Sequence, residues 1–230
     1  YADRDVYLAD PSVMAMPVAK LIDAGYLHAR GALIAPDKTL PQALPGNPDG
    51  KVAANAAGFG PPENGTSHFV VIDRAGEAVS YTSTIESGFG SGVMFGGFYL
   101  NNELTDFSFV PSKDGKSVLN AVGGGKRPRS SMSPTLVYGP DGKLVLAIGA
   151  AGGATIPVQV ARALIGFTDW RLPFADALAL PVLFSPGDTV TVEQGSRLEA
   201  MIPALTQLGH TQVRAGEMPL KINAIAVVNG

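Results

Sequence analysis

The sequence predicts an α+β fold in which sheets are covered by helices. Three observations carry this. A strand–turn–strand pattern runs over 67–84, a glycine-rich loop joins a strand to a buried helix near 149–167, and 46% of residues are hydrophobic. In chain order, residues 1–35 read as helical after a polar start. Pro17 sits in a first turn, and Val18, Leu21, Ile22, Tyr26, Leu27, Ala29 and Leu33 are the apolar positions. Residues 36–65 hold Pro36, Pro41, Pro45, Pro48, Pro61 and Pro62 with glycines between them. They show no period and read as a linker of about 30 residues, a length uncommon inside a domain unless functional or disordered. Strands are expected at 67–73 and 78–84, forming a hairpin around 74–77. Further strands are expected at 98–101, 135–138 and 144–148, the last two joined by Gly139-Pro140-Asp141-Gly142. A buried helix follows at 156–167, with Pro157 tolerated in its first turn. A short helix at 174–180, a strand at 189–193, a helix at 197–208 ended by Gly209, and a strand at 222–228 complete the reading. There is no internal repeat.

Composition narrows the function. The chain has 230 residues, 16% of them charged, and a net charge of −3. A nucleic-acid binder usually presents a basic face, so no nucleic-acid partner is expected. Low charge and high hydrophobicity argue against disorder. No apolar run approaches the roughly 18 residues of a membrane span. With no cysteine, disulfides, thiolate catalysis and zinc–thiolate sites are excluded. The opening Tyr1–Asp10 is polar and shows no signal peptide, so any targeting segment is expected upstream.

Several familiar motifs fail. Gly115-Lys116-Ser117 resembles the end of a phosphate-binding loop, but Val110 stands where the first glycine belongs, and Gly125-Lys126 is followed by Arg127. Gly88-Phe89-Gly90-Ser91-Gly92 has the wrong spacing for a dinucleotide fingerprint. His28, His68 and His210 are scattered, so no metal site and no cofactor are expected. Asn64-Gly65-Thr66 is formally a glycosylation triplet and carries little weight.

Two features point to chemistry. One is the hydroxyl-rich hairpin: Thr66, Ser67 and His68 on one strand, Ser80, Thr82, Ser83 and Thr84 on the other. The other is the glycine loop Gly149-Ala150-Ala151-Gly152-Gly153, whose backbone N–H groups can face an anion or oxyanion. Cleavage before Thr66 would free an α-amine with a reference pKa of about 7.7–8.0, a general base on the same residue as a nucleophilic hydroxyl. Spacing alone leaves this open, because threonine is also common in strands.

Longer strings carry a resemblance. Thr66-Ser67-His68-Phe69-Val70-Val71-Ile72-Asp73 with Ala78-Val79-Ser80-Tyr81-Thr82-Ser83-Thr84-Ile85 resembles the start of the small subunit of gamma-glutamyltranspeptidases. Asn101-Asn102-Glu103-Leu104-Thr105-Asp106-Phe107-Ser108 resembles that family's NNE-x-x-DFS segment. Lys126-Arg127-Pro128-Arg129-Ser130-Ser131-Met132-Ser133-Pro134-Thr135 is similar to its KRP-x-SSMSPT segment. Residues 149–156 resemble its GSPGGSRI loop, and 1–15 resemble a stretch near the end of its large subunit.

The resemblance implies a four-layer αββα sandwich of the N-terminal-nucleophile hydrolase type, present here in part. It implies a proenzyme that cuts itself before Thr66. Residues 1–65 would be the tail of the large subunit, and 66–230 a small subunit truncated at its end. Thr66 would be the nucleophile and Thr84 its hydrogen-bond partner, while Thr82 and His68 read as structural. Gly152 and Gly153 would form the oxyanion hole. Glu103 and Asp106 would hold the ammonium of a γ-glutamyl group, and Ser130 and Ser131 its carboxylate. Glu86 stands where the family usually has Asn near that ammonium, and Thr105 replaces one member of an acidic pair. Ala150, Ala151 and Ala154 replace Ser, Pro and Ser, which is expected to loosen the glycine turn. Residues 109–125 occupy the lid-loop position. The donor would be glutathione-like and the acceptor water, an amine or a peptide. The carboxylate-binding arginine would come from the missing large-subunit portion, so the fragment itself is expected to be inactive and prone to self-association. Two alternatives stand beside this: an acylase of another amide, of the glutaryl-cephalosporin type, and a catalytically silent fragment. A periplasmic or extracellular location follows by resemblance only.

Overall fold

The computed structural model describes residues 1–50, 54–58 and 65–227. Part of the expected linker, Asn64 of the glycosylation triplet, and the last residue of the strand expected at 222–228 lie outside the described residues.

The polar start is itself helical: α1 spans Ala2–Tyr7, with Asp3 and Asp5 in its first turn, where the helix dipole favours negative charge. The helix expected to continue to 35 is divided into α2, Val18–Leu21, and α3, Ala24–Gly31. The break has a cause. Asp23 leaves helical geometry and its carboxylate accepts from the Tyr26 N–H at 3.1 Å, capping a new helix. Strands β1, Thr66–Ile72, and β2, Ala78–Thr84, form the expected antiparallel hairpin, with Thr66 opposite Thr84 and Ile72 opposite Ala78. Asp73 shapes its turn by accepting from the N–H groups of Ala75 and Glu77 at 2.8 and 2.9 Å.

The strand expected at 98–101 shrinks to two residues: β3, Met94–Phe95, pairs with β4, Phe98–Tyr99. A 3₁₀ turn, Glu103–Asp106, follows. Within the expected lid segment, β5, Ser112–Lys113, and β6, Lys116–Ser117, make a small hairpin. Strand β7, Thr135–Tyr138, precedes β8, Leu144–Ala151, which runs three residues beyond its expected end. Helices α4, Ile156–Thr168, and α5, Phe174–Leu178, come next. Strands β9, Leu183–Phe184, and β10, Thr189–Glu193, lead to a 3₁₀ turn, Arg197–Met201, and to α6, Ile202–Gln207. The single helix expected at 197–208 is split because Pro203, in the first turn of α6, has no N–H to continue an α-ladder. Strands β11, Gln212–Gly216, and β12, Lys221–Ala226, close the described chain.

The chain forms two compact units. One takes 1–61, 104–130 and 183–216. Its sheet has the order β11-β10-β9, with β10 parallel to β11 and antiparallel to β9. Val190 and Val192 of β10 are buried. Polar anchors hold the N-terminal segment in this unit. Arg129 pairs with Asp5 at 2.6 Å, both side chains less than a tenth exposed, and donates to the Arg4 and Gly58 carbonyls at 3.0 and 2.7 Å. Asp10 is buried and accepts from the Ser12 hydroxyl at 2.7 Å and the Arg127 N–H at 2.7 Å. The Ser12 hydroxyl, then the Arg127 N–H, hold its carboxyl far below the usual carboxylate range.

The other unit takes 62–103, 131–182 and 217–230. Its sheet is antiparallel, in the order β12-β8-β7. The last six residues of β8 are all buried, as befits a strand covered on both faces. Side chains alternate along it. Leu146, Ile148 and Ala150 pack on Ile156, Val160 and Ala163 of α4. Gly149 points the other way and meets the His68 ring of the β1–β2 hairpin. Hairpin, sheet and helix therefore make three successive layers. The hairpin's far side carries Phe69, Val71, Val79 and Tyr81, each about half exposed; the rings of Phe69 and Tyr81 pair at 5.2 Å.

Candidate active site

The inner face of the hairpin is polar. Alternation from Thr66 puts His68 on the same side, with Thr82 and Thr84 opposite them. Thr66 is buried, and its Oγ1 donates to Thr84 Oγ1 at 3.1 Å. Thr84 Oγ1 also accepts from the Glu86 N–H at 2.8 Å. Glu86 is 3% exposed and has φ +72°, the left-handed region that side chains rarely adopt. Its carboxylate accepts from Ser87 Oγ at 2.8 Å and from Asn102 Nδ2. Its carbonyl lies against the α-carbon of Gly65, where an added methyl group would overlap the Glu86 oxygen. The bond before Thr66 is thus flanked by a residue whose lack of a side chain is required.

Two contacts orient the hairpin on its sheet. Ser80, opposite Val70, donates through Oγ to the Ile148 carbonyl at 2.9 Å, while the His68 ring lies on Gly149. Moving from Val70 to His68 on β1 therefore matches moving from Ile148 to Gly149 on β8. Thr66 lies further in the same direction, toward the end of β8 that Gly152 and Gly153 follow. Both glycines are buried, with φ of +129° and +57°. They open the 3₁₀ turn Gly153–Thr155 and α4, where the first N–H groups have no partner within the helix.

Side chains from the following helix tie this turn down. Thr155 donates to the Gly152 carbonyl through Oγ1 at 2.8 Å and through its N–H at 3.2 Å. Gln159, fully buried, donates to the Ala151 carbonyl and to Thr155 Oγ1, both at 2.9 Å, and accepts from the Lys221 N–H at 3.0 Å. Ala150 and Ala151 belong to β8 itself, so the expected loop is shorter than 149–153. The sequence assigns no role to Gln159, or to Asn102 beyond its place in a motif string. A polar residue on the apolar face of a predicted helix was the available signal for Gln159.

The remaining predicted residues divide between the units. Glu103 and Ser131 belong with Thr66, Thr84, Glu86, Gly152 and Gly153; Asp106 and Ser130 belong to the other unit. Glu103 opens its 3₁₀ turn, and its N–H donates to Asn101 Oδ1 at 3.0 Å. The Asp106 carbonyl accepts from Asn120 Nδ2 at 2.8 Å. Ser131 is buried and Ser130 exposed.

His68 Nδ1 lies 2.8 Å from Thr82 Oγ1, and burial pushes its imidazole pKa down. Its folded pKa therefore lies below the unfolded value of about 6.5. Below that value the unfolded chain binds the proton more readily, so stability falls with pH. The unfolding midpoint should drop as the pH is lowered through about 6.5, and His68→Gln should flatten that slope. An unchanged slope in the variant would place the acid sensitivity elsewhere.

The family model of gamma-glutamyltranspeptidase matches residues 1–230. The chain belongs to the gamma-glutamyltranspeptidase family. It is 33% identical over 239 residues to a glutathione hydrolase proenzyme of Bacillus subtilis subsp. natto, covering 100% of this chain and 39% of that protein. It is 31% identical over 229 residues to the acylase ACY 1 proenzyme of Pseudomonas sp. (strain V22), covering 98% of this chain and 38% of the relative. Among solved structures, a Helicobacter pylori gamma-glutamyltranspeptidase mutant superposes with a TM-score of 0.62 at 33% identity, covering 70% of this chain and 90% of that one. The mixed helix-and-strand architecture is thus that of gamma-glutamyltranspeptidase structures. This family member spans about two fifths of the length of the curated relatives it matches.

Proposed function

We propose that the chain holds the self-cleavage site and much of the catalytic site of a gamma-glutamyl transferase/hydrolase. The hydrogen bond of buried Thr66 to Thr84, at the head of β1, carries this reading. In self-cleavage Thr66 Oγ attacks the Gly65 carbonyl carbon. The C–N bond breaks as the C–O ester forms, and the hydroxyl proton passes to the leaving nitrogen. Water then hydrolyses the ester, leaving a Gly65 carboxylate and a Thr66 residue with free hydroxyl and amine. Residues 1–65 end the large subunit and 66–230 belong to the small one.

In catalysis the amine of Thr66 takes the hydroxyl proton, and Oγ attacks the γ-carbonyl of a glutathione-like donor. The leaving amine departs with a proton, and water or an acceptor amine resolves the γ-glutamyl-Thr66 ester. The N–H groups of Gly152 and Gly153 stabilise the oxyanion. Glu86 and Glu103 hold the donor ammonium and Ser131 its carboxylate; Asp106 and Ser130 take the same two roles by motif position. Arg129 is engaged with Asp5, and by the family resemblance the arginine for the carboxylate is drawn from the rest of the large subunit. The half-exposed row Phe69, Val71, Val79 and Tyr81 fits an outer helical layer from the rest of the large subunit, completing a four-layer sandwich. A periplasmic or extracellular location belongs to the same proposal.

The acylase relative, at 31% identity, keeps a second substrate class in view. The buried Glu86 carboxylate favours the first, because glutaryl groups lack the ammonium it would pair with. The full-length protein should show a mass-spectral break before Thr66 and should hydrolyse γ-glutamyl anilide at least about tenfold faster than glutaryl anilide, a difference one charge pair supplies. Preference for the glutaryl compound would transfer the assignment to the acylases. An intact, inert chain would end it.

A further inference from the structure

We propose that Asn102 is a positioning residue for Thr66, acting through the corner at Glu86; this rests on the function proposed above. The corner consists of Ile85, Glu86 and Ser87, and Asn102 engages all three. Its N–H donates to the Ile85 carbonyl at 3.2 Å. Its Nδ2 donates to the Glu86 carboxylate and, at 3.0 Å, to Ser87 Oγ. Its Oδ1 accepts from the Ser87 N–H at 2.9 Å. Ser87 Oγ closes the ring by donating to the same Glu86 oxygen at 2.8 Å.

The corner needs this support. Glu86 holds φ +72°, a conformation unfavourable for a residue with a Cβ and maintained only where its surroundings over-determine it. That conformation aims the Glu86 N–H at Thr84 Oγ1, 2.8 Å away, and Thr84 Oγ1 accepts from Thr66 Oγ1 at 3.1 Å. It also sets the carbonyl against Gly65. One side chain therefore fixes the partner of the nucleophile and the backbone flanking the bond to be cut. An amide is the group required. The Ser87 N–H needs an acceptor and the Glu86 carboxylate needs a donor, and Asn supplies both at this length. Aspartate in its place would set two carboxylates against each other.

The test uses full-length protein and reads self-cleavage first, because that step involves no donor. Asn102→Asp should slow cleavage at least about tenfold, the order expected when a buried acceptor loses its donor. In cleaved material, kcat for γ-glutamyl anilide should fall in step, the signature of a group acting on the reacting residue, beside any change in KM that comes from the Glu86 carboxylate itself. Exchanging the partners, Asn102→Asp with Glu86→Gln, restores one donor and one acceptor and should return cleavage to within about threefold of wild type. Ser87→Ala, a smaller change, should slow cleavage measurably and keeps the test open if Asn102→Asp is insoluble. Wild-type cleavage in either Asn102→Asp or Ser87→Ala, a raised KM at unchanged kcat, or no recovery in a soluble double exchange would overturn the role of Asn102. A wild-type protein that neither cleaves nor turns over would instead overturn the function on which it rests.

Discussion

Full-length protein carrying Thr66→Ala should remain a single uncut chain and release no product from γ-glutamyl anilide. In the function proposed above one hydroxyl serves both reactions. It would attack the Gly65 carbonyl during maturation and the donor's γ-carbonyl during turnover, while the Thr84 hydroxyl 3.1 Å away accepts its hydrogen bond. Removing a catalytic nucleophile from a hydrolase of comparable logic costs about 10⁶ in kcat, so turnover should vanish against background. Gel electrophoresis and the anilide assay read the two losses separately. Thr66→Ser retains the hydroxyl and should retain both reactions at reduced rate. Hydrolysis by Thr66→Ala protein assembled from separately expressed subunits would remove Thr66 from its role.

The next largest effect should come from Gly152→Ala. At φ +129° any side chain is strained, and here the added carbon would also overlap the Pro219 carbonyl oxygen and stand 2.7 Å from Thr155 Oγ1. Backbone strain and overpacking each cost roughly 1–3 kcal/mol, so a loss of about 2–6 kcal/mol is expected. For a chain of this size that lowers the unfolding midpoint by roughly 4–24 °C. Gly187→Ala, in open space, should leave the midpoint nearly unchanged. If enough Gly152→Ala protein folds to assay, kcat should fall about 10²- to 10³-fold, as when an oxyanion donor is misplaced. A variant of normal stability and rate would show that the turn tolerates a side chain.

What the sequence disclosed was local. The β1–β2 hairpin was legible because apolar and polar residues alternate on each side of a turn whose Asp73 can bond its own backbone. Helix α4 was legible because an apolar run follows a glycine turn and admits Pro157 in its first turn. Strand β11 was not, since Gln212-Val213-Arg214-Ala215-Gly216 has little alternation and pairs in parallel with β10 across an intervening helix. The helical reading of the first 35 residues failed at Asp23 because a capping carboxylate outweighed a periodic pattern. At the site, Thr66 and Thr84 stood out only through motif strings, as spacing alone cannot tell a nucleophile from a strand threonine. The left-handed backbone of Glu86 was invisible, for it depends on Asn102, sixteen positions away. Gln159 was hidden likewise, since its partners on Ala151 and Lys221 come from separate strands.

The close approach of Gly65 to the Glu86 carbonyl has a practical side. A leader peptide grafted upstream of Thr66 must end in glycine, since the slot beside the scissile bond admits a hydrogen atom and no methyl group. Within that limit, under the proposed self-cleavage, the leader would depart by the protein's own chemistry, with a glycine carboxylate at its end and no protease added. Thr66 would be left as a native first residue. The fold would then act as its own traceless tag-removal device, with one α-carbon as its reading head.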